Sequence, residues 1–250
     1  MMVSETSIKT SSRILEICVD DVAGLAAAIK GGADRIELCS SLGSGGLTPS
    51  YGFMRIAARA PIPVNALIRS RIGDFAFGEE DIGIMIADIE AARAAGLAGV
   101  VIGAAQASGT LDRPVLERLV EAARGLDMTL HRAFDVVEDL DAALDLAVEL
   151  GFSRILTSGG ARNAEQGVET LLRVSARAAG RVSIMPGGGV RPANVARLLA
   201  IPGIREVHAS CSQPRAADRR LVHFGFVGDE MRHTDEETVR AMKAALQAAP

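Results

Sequence analysis

Apolar positions along this chain follow two periods in turn. Short β-rich runs recur as RILEICV (13–19), RIELC (35–39), PVNALI (63–68), GVVIG (99–103), MTLH (128–131), RILTS (154–158), VSIMP (182–186) and EVHAS (206–210). Between them lie Ala/Leu/Glu/Arg-rich stretches with apolar residues at helical spacing, as in VLERLVEAARGL (115–126) and LDAALDLAVELG (140–151). Strands alternating with helices, at roughly 27 residues per unit, predict right-handed βαβ units and a parallel sheet.

The punctuation agrees. Helices are predicted to begin after Asp20, Thr48-Pro49, Asp112 and Arg191-Pro192, and to end at Gly31, Gly96, Gly125, Gly151 and Gly180. GGADRIELCS (31–40) and LGFSRILTSG (150–159) align without gaps, a faint internal echo, and GIREVHAS (203–210) has a similar outline. Eight units in a chain of 250 residues predict one domain, a closed (β/α)₈ TIM barrel over about 13–212, with a C-terminal tail from 213 to 250 that ends in a helix at 234–247. The competing architecture is an open doubly wound sheet. It has no G-x-G-x-x-G after the first strand and no G-x-x-x-x-G-K-[ST] to support it.

Strand parity then sorts the side chains. If the apolar face meets the helices, the barrel interior receives Glu16 and Cys18, Glu37 and Cys39, Asn65, Leu67 and Arg69, Thr129 and His131, Ser183 and Met185, and His208 and Ser210. Strands four and six do not resolve. Buried polar groups need partners, so an interior this polar implies either a site or a set of satisfied ion pairs among Glu16, Glu37, Asn65 and His208. The C-terminal strand ends, where barrel active sites lie, carry Cys18, Cys39, Arg69, His131, Ser158, Met185 and Ser210.

Composition narrows the ligands. The net charge is -4 with no basic run, which argues against nucleic acid and against an anionic bilayer. Aromatic residues are 3% of the chain and Trp is absent, so stacking platforms are hard to build and small polar or anionic ligands fit better. No apolar stretch is long enough for a membrane span, and the opening MMVSETSIKTSSR lacks a signal layout. A cytoplasmic protein is expected, with Cys18, Cys39 and Cys211 reduced.

Three constellations carry candidate chemistry. MPGGGVRPANV (185–195) places Gly187, Gly188 and Gly189 ahead of a helix start; with Ser158-Gly159-Gly160 and Ser210 it reads as a phosphate or anion cup, or as a tight turn. IRSRIGDF (68–75) and HRAFD (131–135) bring Arg69, Arg71 and Arg132 as anion forks and His131 as a proton carrier oriented by Asp135 or Glu37. With Glu16 and Glu37 as further acid/base candidates, these would suit a lyase or isomerase acting on a small phosphorylated or carboxylated metabolite. An ion-pair network bracing the mouth is the alternative. Cys18 and Cys39 end adjacent strands on one side, and neighbouring strands lie about 4.8 Å apart. Two thiolates so placed suit monovalent copper, with Met185 as a possible thioether neighbour, although buried cysteines often have no role. Serine hydrolase, zincin and thioredoxin-like motifs are missing.

EICVDDVAGLAAAIKGGADRIELCSSLGSGGLTPSYG (16–52), IRSRIGDF, HRAFD, LTSGG (156–160) and PGGGV (186–190), in this order, resemble the CutC family of copper homeostasis proteins over about residues 13–212. The resemblance implies a cytoplasmic TIM barrel, dimeric or larger, associated with copper. It implies a monovalent copper site at Cys18 and Cys39, and a pocket carrying Arg69, Arg71, Asp74, His131, Arg132 and Asp135. One departure is Ser70, where the family pattern commonly has proline.

Overall fold

Each β-rich run folds as a strand in the computed structural model, which describes residues 13–249. The opening segment, expected to lack a signal layout, lies outside the described residues apart from Arg13. The strands are β1 (Ile14–Val19), β2 (Arg35–Leu38), β3 (Val64–Leu67), β4 (Gly99–Ile102), β5 (Asp127–Leu130), β6 (Arg154–Thr157), β7 (Ser183–Pro186) and β8 (Glu206–Ala209). All their ladders are parallel, in the order β7-β6-β5-β4-β3-β2-β1-β8. β1 pairs with both β2 and β8, which brings the first and last strands together. β7 lies beside β8 with no ladder between them. The architecture is therefore a nearly closed (β/α)₈ TIM barrel.

The helices outside the barrel are α1 (Val22–Gly31), α2 (Tyr51–Ala57), α3 (Glu79–Ala95), α4 (Arg113–Ala122), α5 (Leu140–Glu149), α6 (Val168–Ala178) and α7 (Val195–Leu199). Side chains of Asp21, Ser50 and Asp112 accept the N–H groups of Gly24, Phe53 and Val115 at the starts of α1, α2 and α4. Asp20, one residue before the α1 cap, turns instead to the Leu42 N–H at 2.9 Å. α1 stops on left-handed Gly32, one residue later than predicted. Gly31 is still helical, and a Cβ there would sit 2.5 Å from Val239 Cβ. α7 begins three residues past Pro192; Asn194 precedes it, its side chain bonded back to the Arg191 N–H and the Gly189 carbonyl rather than capping the helix.

The strand faces sort as parity predicts. Leu15, Ile17, Ile36, Leu38, Val100, Ile102, Ile155 and Val207 are fully buried in the cluster between sheet and helices. Burying each such side chain stabilises the fold by roughly 2 kcal/mol. Inside the barrel, Cys18, Cys39, Leu67 and Val101 form a separate small cluster, which resolves the parity of β4.

The segment after Ser210 is more structured than a tail. β9 (Ser212–Ala216) and β10 (Glu230–Thr234) pair antiparallel around the short α8 (Arg219–His223). This hairpin escaped sequence reading because β9 reads SQPRA, has no apolar face and is mostly exposed. α9 (Glu236–Ala248) follows close to its predicted span, capped by Asp235, which accepts the Thr238 N–H at 2.8 Å. It packs on α1 and α7, and its Val239, Met242 and Leu246 join the main core. No helix among the described residues is long and apolar enough to cross a membrane.

Candidate functional site

The barrel interior is built in layers, and the lowest is ionic. Arg35 and Arg154 open β2 and β6 and both point inward to Glu206, at 2.5 and 3.2 Å. Arg35 also pairs with Glu16. Arg154 reaches Asp127 at 2.5 Å and the Thr129 hydroxyl at 2.9 Å, and Asn65 donates to Asp127 at 3.0 Å. The two arginines occupy the same place in the echo between 31–40 and 150–159. Sequence reading named neither, although parity two residues below Glu37 would have found Arg35.

Above this layer, Glu16 of β1 lies in register with His208 of β8. Its carboxylate meets His208 Nδ1 at 2.8 Å. Burial opposes ionisation of Glu16, but Arg35 and His208 outweigh it and hold the pKa at about 2. Glu16 was expected among the acid/base groups; it lines no part of the mouth and serves as the charged anchor of His208. Burial likewise opposes the charge on His208, yet Cys18, Glu37 and Glu16 raise its pKa well above the ordinary value. Glu37 is pushed up by burial, with Glu16 adding to the effect and His208 opposing it. Of the ion-pair alternative, the Glu16–His208 bond is present, whereas Asn65 turns to Asp127.

His208 Nε2 lies 3.6 Å from Glu37. Cys18 Sγ, a Glu37 oxygen and a His208 ring nitrogen all fall within 4.8 Å of one another, and all three residues are buried. Cys39 Sγ sits 3.5 Å from the same Glu37 carboxylate. Cys39 is fully buried, and burial followed by the Glu37 charge pushes its thiol well above the ordinary range. Cys18 faces the mouth; Cys39 lies behind it. Met185 is not a neighbour of this group at the mouth, because its sulfur faces the Arg35 guanidinium at 3.3 Å in the ionic layer.

The mouth is a cavity of about 1430 Å³, with Cys18, Glu37 and His208 on one side and Arg69, His131 and Arg132 on another. Arg69 donates to the carbonyls of Gly46 at 3.1 Å and Gly73 at 2.7 Å, and its guanidinium lies 5.0 Å from the Phe75 ring. Neither Asp135 nor Glu37 orients His131, contrary to expectation. Its Nδ1 accepts the Ala133 N–H at 3.1 Å, and its Nε2 has no partner. Burial, reinforced by the Arg69 charge, lowers the His131 pKa to about 3, so the imidazole is neutral.

Asp135 instead fills part of the expected anion cup. It accepts the N–H groups of Ser158 and Gly160 at 3.0 Å, the Ser158 hydroxyl at 3.0 Å and Arg132 Nε at 2.7 Å. Gly159 N–H is taken by Thr157 Oγ1 and Gly187 N–H by Thr157 O. These donors are committed within the protein, those of Ser158 and Gly160 to the Asp135 carboxylate and those of Gly159 and Gly187 to Thr157. Gly188 and Gly189, both left-handed at φ 83° and 73°, do reach the cavity wall, and a Cβ on Gly188 would lie 3.2 Å from Arg132. Ser210 also lines the cavity, its hydroxyl 3.0 Å from that of Ser212.

Arg71 and Asp74 lie outside the lining. Arg71 pairs with Asp74 and with Asp81 of α3, both at 2.9 Å, and Ser70 donates to Asp81 at 3.1 Å. The hairpin adds Phe226, Met231 and Arg232 to the cavity wall, which sequence reading missed together with the hairpin itself. Chemically, the mouth combines a thiol–imidazole–carboxylate cluster with an electropositive face.

The CutC family profile matches residues 13–213. The CutC family protein of Agrobacterium fabrum (strain C58 / ATCC 33970) is 55% identical over 243 residues, 96% of this chain and 97% of that protein. That of Caulobacter vibrioides (strain NA1000 / CB15N) is 53% identical over 238 residues, 94% and 97% of the two. The crystal structure of CutC from Streptococcus agalactiae, described as a copper homeostasis protein, superposes with a TM-score of 0.76 at 30% identity, covering 79% of this chain and 98% of that one. Thiamine phosphate pyrophosphorylase from Pyrococcus furiosus, at 13% identity and a TM-score of 0.59, shares the fold alone. With a profile and relatives that run through the barrel and its mouth, this chain belongs to the CutC family.

Proposed function

We propose that this barrel takes part in copper handling in the cytoplasm, binding one monovalent copper ion at its mouth. Cys18 and Cys39 are the thiolate donors and His208 the imidazole donor. The observation that carries the reading is the buried group of Cys18, Glu37 and His208 with ligand atoms within 4.8 Å; Cys39 lies outside that group and joins it through its 3.5 Å contact with the Glu37 carboxylate. Thiolate and imidazole are donors that monovalent copper favours, and all three cysteines are free. The description of the Streptococcus agalactiae relative as a copper homeostasis protein supports the same reading.

Binding requires that protons leave. His208 must lose the proton that Glu16 and Glu37 stabilise, and the Cys39 thiol must lose its own, for which the Glu37 carboxylate at 3.5 Å is the adjacent acceptor. Glu37 thus takes protons off the site, and Glu16 orients the imidazole beneath it.

A competition titration against a chromogenic chelator of monovalent copper tests this. One ion per chain is expected, with affinity falling more than tenfold in Cys18→Ser, in Cys39→Ser and in His208→Asn, and unchanged in Cys211→Ser. Absence of binding, or binding unaltered in the Cys18/Cys39 double variant, overturns the proposal.

A further inference from the structure

The copper reading leaves two buried groups at the mouth without partners. Arg69 and His131 are each almost fully buried, and Arg69 Nε and His131 Nε2 make no hydrogen bond. Both residues line the cavity, and the Phe75 ring packs against both, 5.0 Å from the guanidinium carbon of one and from the ring centre of the other.

The charge on Arg69 is not neutralised. Its two bonded nitrogens meet backbone carbonyls, and the acidic residues of the neighbouring loops are taken: Asp74 by Arg71, Asp135 by Arg132. Among the described residues no carboxylate stands within ion-pair distance of it, whereas Arg35 and Arg154 in the base each have two. A guanidinium buried without an anion is unfavourable unless something supplies one.

The tautomer of His131 follows from its bonds. Nδ1 accepts an N–H from Ala133, and the ring is neutral, so the proton resides on Nε2. Nε2–H is therefore a donor with nothing to donate to, as is Nε–H of Arg69. Two unpartnered donors beside one uncompensated positive charge call for an acceptor with negative charge.

We infer that Arg69 and His131 form a subsite for the oxyanion group, carboxylate or phosphate, of a small metabolite that enters the barrel mouth. The subsite shares no residue with the Cys18, Glu37 and His208 cluster and goes beyond the copper reading. It also differs from the glycine cup expected from sequence, where Asp135 already holds the loop donors. A neutral His131 contributes a hydrogen bond and no charge, while Arg132 and the left-handed Gly188 and Gly189, which also line the cavity, are left to contact the rest of the metabolite.

Calorimetric titration of the full chain with inorganic phosphate and, separately, with pyruvate tests the inference and tells which oxyanion is preferred. Saturable binding of at least one probe is expected. Arg69→Lys, which keeps the charge and loses the fork, should weaken it at least tenfold, as should His131→Phe. Arg113→Ala, on the outer surface and paired with Glu149, should bind as wild type. On the wild-type chain alone, ¹⁵N spectra should show the Nε2–H signal of His131 shifting as the bound probe saturates. Cys18→Ser should retain probe binding, which separates a failure here from a failure of the copper site. No saturable binding of either probe, or undiminished binding in both the Arg69→Lys and His131→Phe variants, overturns the inference.

Discussion

Replacing His131 with glutamine changes how stability depends on pH, and the structure gives the size of the change. The folded pKa is about 3 against an ordinary value of 6.5. Below the ordinary value the unfolded chain takes up a proton that the folded chain refuses. His131 therefore destabilises the fold as pH falls, beginning near the unfolded pKa and levelling off near the folded one, by about 1.4 kcal/mol per pH unit in between. Moving from about pH 8 to about pH 5 removes roughly 2 kcal/mol. His208 acts with the opposite sign. Its pKa is raised, so its stabilisation is fully present below the ordinary histidine value and is lost as pH rises through the folded one. The wild-type curve mixes the two, and the difference between wild type and His131→Gln removes the His208 contribution. Urea unfolding of both proteins at the two pH values is the assay. Relative to wild type, the variant should gain about 2 kcal/mol on acidification. Curves that run parallel would refute a neutral, buried His131 and the tautomer assigned to it.

Two further predictions concern the scaffold. In Gly31→Ala the new Cβ meets Val239 Cβ at 2.5 Å and the Glu236 carbonyl at 2.9 Å, so α9 must shift from α1; a loss of about 1–3 kcal/mol is expected, read as a lowered melting temperature. Arg154→Met strips the buried partner of Asp127 and one of the two partners of Glu206, and should lower unfolding free energy by about 3 kcal/mol in calorimetry, whereas removal of the exposed Arg118–Glu79 pair should shift it by less than about 1 kcal/mol.

The barrel was legible because its signals are local and repeated. Each strand shows a β-rich run and each helix an apolar spacing closed by a cap or a glycine, so the unit count does not depend on any one boundary. Parity correctly turned Glu16, Glu37, Arg69, His131 and His208 inward, since period two alone decides the face. What parity does not encode is which inward group meets which. Asp135 or Glu37 is expected to orient His131, but HRAFD folds as a tight turn in which the ring accepts from Ala133 and the Asp135 carboxylate swings to Ser158 and Gly160. Met185 faces inward as expected but sits at the depth of the Arg35 guanidinium rather than of Cys18, because depth is set by barrel stagger rather than by alternation. Arg35 follows the parity of Glu37, whereas Arg154 stands on β6, whose alternation the sequence does not resolve. The hairpin had no apolar period to announce it; its pairing with itself and its place over the mouth are tertiary facts.

The missing ladder between β7 and β8 makes the barrel a split ring with an outside clasp. α9 grips α7 on one side of the split and α1, next to β8's partner, on the other. The gap opens beside Gly188, Gly189 and Ser210, in the sector that lines the cavity. Widening the mouth there would break no strand-to-strand hydrogen bond. Across β7, Glu206 of β8 holds Arg154 of β6, so ion pairs close at the base a ring that no ladder closes.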